Sequence, residues 1–258
     1  VQLPLFDGGK MAFHPKRLLR VLRNGLLLKI RGRPQLRQKF QEIYRRGIWG
    51  KGAAQFDSGH GSHCDSIVTP YVDMVREFID STYGGDCTVV DLGCGDFSLG
   101  AELSPFVRKY VAVDIVPELI EHHRLGAHSE GVSFLCLDIV NDPLPSGEVC
   151  LLRQVLQHLS NDDIAKILAK LEIYENIFVT EHLPLDGFLR KKNSDIISGK
   201  DIRLWIGSGV YLDAKPFNVR FGAITTVLEV PGDGVGRDSV QGIIRTVKIS
   251  RRDPPGDF

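Results

Sequence analysis

A chain of 258 residues that is 43% apolar and 25% charged can fill the core of one α/β domain with an extension, or of two small domains, without disulfides or a structural metal. Its 32 basic and 32 acidic residues cancel, and no apolar run approaches the roughly 20 residues that span a bilayer. No apolar leader with a small-residue cleavage site is visible, so the expected location is cytoplasmic.

Val1–Lys10 shows no clear pattern, precedes Met11 and is left outside the fold reading. From Pro15, the spacing of Leu18, Leu19, Leu22, Leu26 and Leu27 predicts a helix, which Gly32-Arg33-Pro34 breaks. A second helix follows through Phe40, Ile43 and Tyr44 and ends near Gly47. Between Lys16 and Lys51 there are twelve basic residues and one acid, Glu42, so the neutral total hides a basic N-terminal arm. Such an arm can touch an acidic surface. No aromatic interleaving supports nucleic acid, and a solvated face is the simpler reading. Residues 47–66 are rich in Gly and Ser and read as a loop. A helix is expected from Thr69 to about Thr82, with Pro70 in its first turn and Val72, Val75, Phe78 and Ile79 on its apolar face.

The period then changes. Cys87–Leu92, Tyr110–Ile115, Val132–Leu137, Val149–Arg153 and Asn176–Thr180 are short runs rich in β-branched residues, with helices expected after the first, over Pro117–Arg124 and over Asn161–Leu171. Strands alternating with helices, and lacking polar alternation, predict a parallel sheet covered on both faces. Ala223–Val230 and Gly242–Ile249, joined by Pro231–Gly236, predict an antiparallel hairpin at the end. The five cysteines, Cys64, Cys87, Cys94, Cys136 and Cys150, are odd in number and without C-x-x-C spacing; they read as buried thiols rather than a disulfide framework or zinc site.

The strongest chemical signal is Asp91-x-Gly93-x-Gly95 at the carboxyl end of the first strand, where ligands of open α/β sheets bind. A dinucleotide fingerprint would place a third glycine at position 98, which is Ser98. An acid before the first glycine instead suits a ligand with a cationic amino-acid end. Asp114 closes the second strand, 19 residues after Gly95, the spacing of a carboxylate that accepts ribose hydroxyls; a strand-end helix cap is the alternative. Asp138 follows the third strand and can take an adenine amino group, with Ile115 and Ile139 sandwiching the ring, or else it is a surface-turn Asp. Arg153 and Gln154 stand at the end of the fourth strand and can line the same pocket.

Val90-Asp-Leu-Gly-Cys-Gly-Asp96, Val113-Asp-Ile-Val-Pro-Glu-Leu-Ile120, Leu137-Asp-Ile139 and Val155-Leu-Gln-His-Leu-Ser160 together resemble the successive motifs of class I S-adenosylmethionine-dependent methyltransferases. The likeness covers roughly residues 70–182 and is nearest to bacterial small-molecule methyltransferases, some of glycan or secondary-metabolite pathways. It implies a Rossmann-like, seven-stranded, mostly parallel sheet with the last strand antiparallel. It also implies S-adenosylmethionine as cofactor, S-adenosylhomocysteine as product, and cofactor contacts at Gly93, Gly95, Asp114, Asp138 and Ile139, with Cys94 between the glycines. The expected organisation is a basic helical extension and possible cofactor lid over 1–68, the methyltransferase domain over 69–250 with an insertion at 183–220, and a tail at 251–258.

Transfer to oxygen requires a group that takes the acceptor's proton. Glu181-His182 follows directly on the fifth strand and is the first choice, His158 the second and His63 the third; His182 can equally pack against the turn at Pro184, and His158 can be a packed or turn residue. Asp138, Asn141 and Asp142 lie in a Pro-containing turn, which explains them without a metal, and none is expected. In the 183–220 insertion, Trp205, Tyr211, Phe217 and Asn218 can wall an acceptor site, or the loop can fold back as local core. Trp49, in the loop before the domain, is expected to shield the methionine end. The expected acceptor is a small molecule, methylated at an oxygen of a sugar or secondary metabolite; a nicotinamide-dependent reductase and a non-catalytic cofactor-binding scaffold are the rivals.

Overall fold

β-branched residues dominate the strand runs because a sheet buried on both faces needs side chains that fill space with few rotamers. In a computed structural model, which describes residues 36–50, 56–126, 128, 130–235 and 240–251, these runs form one seven-stranded sheet. The strands are β1 (Thr88–Leu92), β2 (Lys109–Asp114), β3 (Val132–Cys136), β4 (Val149–Arg153), β5 (Asn176–Pro184), β6 (Gly222–Val235) and β7 (Val240–Arg251). Their order is β3-β2-β1-β4-β5-β7-β6, with β1 to β5 parallel and β7 antiparallel to both β5 and β6. This is the Rossmann-like, seven-stranded sheet with its last strand antiparallel that the resemblance implies, and it contains the terminal hairpin that the sequence pattern predicts. Chain order reverses between β1 and β4, which puts the ligand crevice at their carboxyl ends.

The helices are α1 (Leu36–Arg45), α2 (Asp65–Tyr83), α3 (Ser98–Leu103), α4 (Pro117–Arg124) and α5 (Asn161–Leu168). α2 packs against β6 and α3, and α4 against β2 and β3. Ser160 caps α5 by accepting the Asp163 amide. α2 begins four residues before the expected start, so Pro70 lies inside it. The helix predicted from Pro15 and most of the basic arm lie outside the described residues, as does the hairpin turn at 236–239. All five cysteines are free. Among the described residues no helix is long and apolar enough to cross a membrane.

Two segments depart from expectation. β5 runs on to Pro184, because β7 pairs with it along its whole length, including Glu181 with Arg245 and His182 with Ile244. Glu181 and His182 therefore lie within a buried strand, not after it. The Pro231-Gly232 step likewise belongs to β6 rather than to a turn; Pro is tolerated there because β6 is the edge strand and its pairing is irregular between Gly232 and Val235.

Segment 185–221 folds back on two polar hubs. Asn193 donates from Nδ2 to the carbonyls of Tyr211 and Lys215 and accepts the Tyr211 amide at Oδ1. Arg203, fully buried, donates to the carbonyls of Ser194 and Leu156 and to Asn161 Oδ1.

Candidate functional site

The turn after β1 is shaped by two left-handed glycines, Gly93 at φ +89° and Gly95 at φ +54°. The amides of Gly93 and Cys94 donate to the Val113 carbonyl at 2.8 and 2.9 Å, tying the turn to the end of β2. A Cβ at Gly93 would collide with Val155, and one at Gly95 with Ser58 Oγ, so the close approach requires glycine at both positions.

A cavity of about 130 Å3 opens over this turn. Each strand end contributes to its lining: Asp91, Gly93, Cys94 and Gly95 after β1, Asp114 and Ile115 after β2, Asp138 and Ile139 after β3, and Arg153 and Gln154 after β4. Trp49 lines it from above. Those residues, singled out from separate motifs, thus meet in one place.

Asp114 is buried and accepts the amides of Gly95 at 3.2 Å and Val116 at 3.0 Å. Burial pushes its carboxyl up to about 6, against the pull of those amides. Asp91 accepts the Tyr110 hydroxyl at 2.9 Å; burial takes it up to about 7, opposed by that hydrogen bond and by the Arg153 charge. Asp138 is only partly buried and closes a turn, accepting the Val140 amide at 2.9 Å and Asn141 Nδ2 at 2.8 Å, while its own amide donates to Asp142. Arg153 donates from Nη2 to the Gly61 carbonyl at 2.6 Å and lies over the Tyr71 ring at 5.3 Å.

The cover is built by α1 and residues 56–64. Tyr44 meets Trp49 edge-on at 5.1 Å, and Trp49 lies 4.9 Å from His158. Ser58 and Asp96 exchange hydrogen bonds of 2.8 Å in both directions, pinning the loop to the glycine turn. Exposed His63 places Nε2 3.0 Å from an Asp96 carboxylate oxygen. Asp57, His63 and Asp96 bring their ligand-type atoms within 4.8 Å of one another. Asp96 already accepts from Ser58 and Ser98, and Asp57 accepts the Gly59 amide, so internal donors engage these carboxylates. Burial raises Asp96, but the hydrogen bonds from Ser58 and Ser98 outweigh it and hold the carboxyl low.

Buried polar atoms cluster on this cavity. Trp49 Nε1 and Arg153 Nε are buried and make no hydrogen bond among the described residues, and both side chains line the cavity. Buried groups of this kind call for a ligand.

The expected proton acceptors divide. His158 lines the cavity, and burial pushes it down to about 4, so it is neutral. Glu181 and His182 do not line it. Glu181 accepts the amides of Leu156 and Gln157 at 2.9 Å each, capping the turn after β4, and burial raises it to about 8. His182 packs where a Cβ on Gly232 or Gly242 would collide with its ring, against the hairpin. Trp205, Tyr211, Phe217 and Asn218 are absent from the lining too. Phe217 packs on the core, and Tyr211 is bound at its backbone by Asn193. Tyr44, Tyr71 and Tyr110, which do line the cavity, have no motif to announce them, whereas Asp96, which also lines it, closes the Val90–Asp96 motif; the apolar face of α2 is the one signal for Tyr71.

Residues 89–173 match the family described as "Methyltransferase domain". Over 49 residues the chain is 37% identical to a Chlamydia muridarum protein called an uncharacterized RNA methyltransferase; that match spans 19% of this chain and only 12% of the relative. Among solved structures, the N-methyltransferase NodS of Bradyrhizobium japonicum with S-adenosylhomocysteine aligns at a TM-score of 0.53 and 12% identity, over 83% of this chain and all of that one. The magnesium protoporphyrin IX methyltransferase of Synechocystis, also with S-adenosylhomocysteine, aligns at 0.51 and 15% identity, over 84% of this chain and all of that one. At such identities these two likenesses speak for the fold.

Proposed function

We propose that the chain, whose residues 89–173 match a methyltransferase domain, is a class I S-adenosylmethionine-dependent methyltransferase that methylates a small molecule at an oxygen, of a sugar or a secondary metabolite. The observation that carries this reading is the convergence of Asp91, Asp114 and Asp138, from three successive strand ends, on a covered cavity above the glycine turn. A cavity roofed by Phe40, Tyr44 and Trp49 suits a small acceptor better than a polymer.

The residues fit S-adenosylmethionine. Bound there, it supplies a methyl group activated by a sulfonium. Two backbone amides hold Asp114 and leave carboxylate lone pairs for a pair of ribose hydroxyls. Asp91 offers its charge to an ammonium, Asp138 an acceptor to an adenine amino group, and Ile115 and Ile139 apolar faces to the ring. The glycines let the backbone approach without a Cβ in the way, and the aromatic cover excludes water, so the protein's part is alignment and desolvation.

The proton of the acceptor falls to His158, the one imidazole that lines the cavity among the described residues. Its low pKa keeps it neutral, with a lone pair available. It is a weak base. A hydroxyl oxygen becomes strongly acidic once it forms a third bond, however, so a weak base suffices to take the proton late.

Calorimetric titration tests the reading. Saturable binding of S-adenosylhomocysteine and no binding of NADH is the expected result, followed by S-adenosylhomocysteine accumulation when the donor is supplied with a panel of hydroxylated sugars and phenols. Binding of NADH with no response to S-adenosylhomocysteine would overturn it.

A further inference from the structure

The glycine turn is also held from below, by a group outside the cavity. α4 starts three residues after Asp114, and its second turn comes back under the loop after β1. There His123, 7% exposed, places Nε2 2.8 Å from the Gly95 carbonyl oxygen. The amide of Gly95 donates to Asp114 at 3.2 Å. Both polar atoms of this one glycine are therefore gripped by a single strand–helix unit, Asp114 at the end of β2 and His123 on α4.

The imidazole is itself fixed. It stacks on Phe134 at 5.3 Å and 25° and lies 5.8 Å from Phe97, and its carbonyl accepts from His128 Nε2 at 2.5 Å. Phe97 takes a left-handed backbone, φ +62°, which a residue with a side chain adopts at some expense. Its ring occupies the space that a Cβ on Gly100 would fill. Gly100 thus serves the aromatic floor beneath the turn and not the cavity above it.

We propose that His123 is a positioning residue of the donor site, fixing the Gly95 peptide through Nε2–H and, through that peptide, the Asp114 carboxylate that receives the ligand's hydroxyls. The proposal rests on reading the glycine turn as the donor cradle. A carbonyl can only accept, so Nε2 carries the proton. Burial lowers the pKa of the ring, against the opposing pull of the Gly95 carbonyl.

Two substitutions separate positioning from packing. His123→Phe keeps a ring on Phe134 and removes the donor; His123→Gln gives up the ring and keeps an N–H of similar reach. In calorimetry with S-adenosylhomocysteine, Phe should weaken binding about tenfold, the equivalent of one buried hydrogen bond, and Gln should restore most of it. Thermal stability should rank the other way, Phe above Gln. Phe binding as tightly as wild type, or affinity following stability in both variants, would overturn the proposal. Should a variant fail to fold, the wild-type protein decides: with 15N-labelled histidine, His123 should show a slowly exchanging Nε2 proton that shifts on adding S-adenosylhomocysteine, and its absence or indifference counts against the role. Wild-type protein that binds no S-adenosylhomocysteine would refute the function itself. Wild-type binding that survives unchanged in His123→Phe would refute only the positioning role.

Discussion

Asp114 and Glu181 are two buried carboxylates with nearly the same local chemistry and different uses. Each accepts two backbone amides, and burial raises each, to about 6 and about 8. Asp114 sits beside the point where strand order reverses, and its oxygens border open space. Glu181 sits inside β5, where β7 has closed the sheet, and its carboxylate seals the turn at Leu156–His158 near the buried Arg203. The more strongly perturbed acid is the one away from the cavity. A shifted pKa marks burial; the end of the sheet that an acid occupies decides whether a ligand can reach it.

The sharpest way to break the comparison is Asp114→Ala. Loss of charge-assisted hydrogen bonds to a hydroxyl pair should weaken S-adenosylhomocysteine by about a hundredfold or more, with the fold intact by circular dichroism. Unchanged calorimetric affinity would remove Asp114 from the site. His158→Ala is next. Turnover should fall by about a hundredfold while S-adenosylhomocysteine affinity stays near wild type. A wild-type rate would mean that the proton leaves by another route.

The side of the molecule around Asp114 was legible in the sequence because its information is local. Each acid or glycine follows directly on a β-branched run, so its place at a strand end is read from a few neighbouring residues. The side around Glu181 depends on partners far along the chain. β5 is long because Gly242–Arg245 lies beside it, and segment 185–221 takes its shape from Asn193 and Arg203, whose hydrogen-bond partners lie up to 47 residues away. Apolar periodicity does not register a polar hub. The same distance hid the cover: Tyr44 reads as one more apolar-face residue of α1 until the fold brings its hydroxyl near Gly95. Gly100 has the look of a motif glycine, but its neighbour is the Phe97 ring.

Glu181→Ala should register in stability rather than binding. It leaves two buried amides unpaired, at about 3 kcal/mol in denaturant unfolding. Glu181→Gln turns this into a pH experiment. The folded carboxyl holds its proton up to about 8, whereas the unfolded one releases it near 4.5. The folded state thus binds more protons in that window, so wild-type stability is greatest below it and declines as pH rises through about 8. The Gln variant should flatten this decline, measured as melting temperature against pH. An equally steep decline would place the titrating group elsewhere, with Asp91 the next candidate.

The smallest expected effect is at Trp205. It stands in the turn Arg203–Ile206 with Lys200 Nζ 5.9 Å from its ring, away from the cavity, whereas Trp49 lines the cavity and touches His158. Trp205→Phe should leave both S-adenosylhomocysteine affinity and the acceptor KM at wild-type values, and Trp49→Phe should raise the acceptor KM. The contrast matters because the sequence reading places Trp205 in the acceptor wall and Trp49 over the methionine end of the cofactor. If Trp205→Phe raises the acceptor KM while donor affinity holds, the acceptor reaches past the roof of the cavity to segment 185–221, and that folded-back core is part of the site after all.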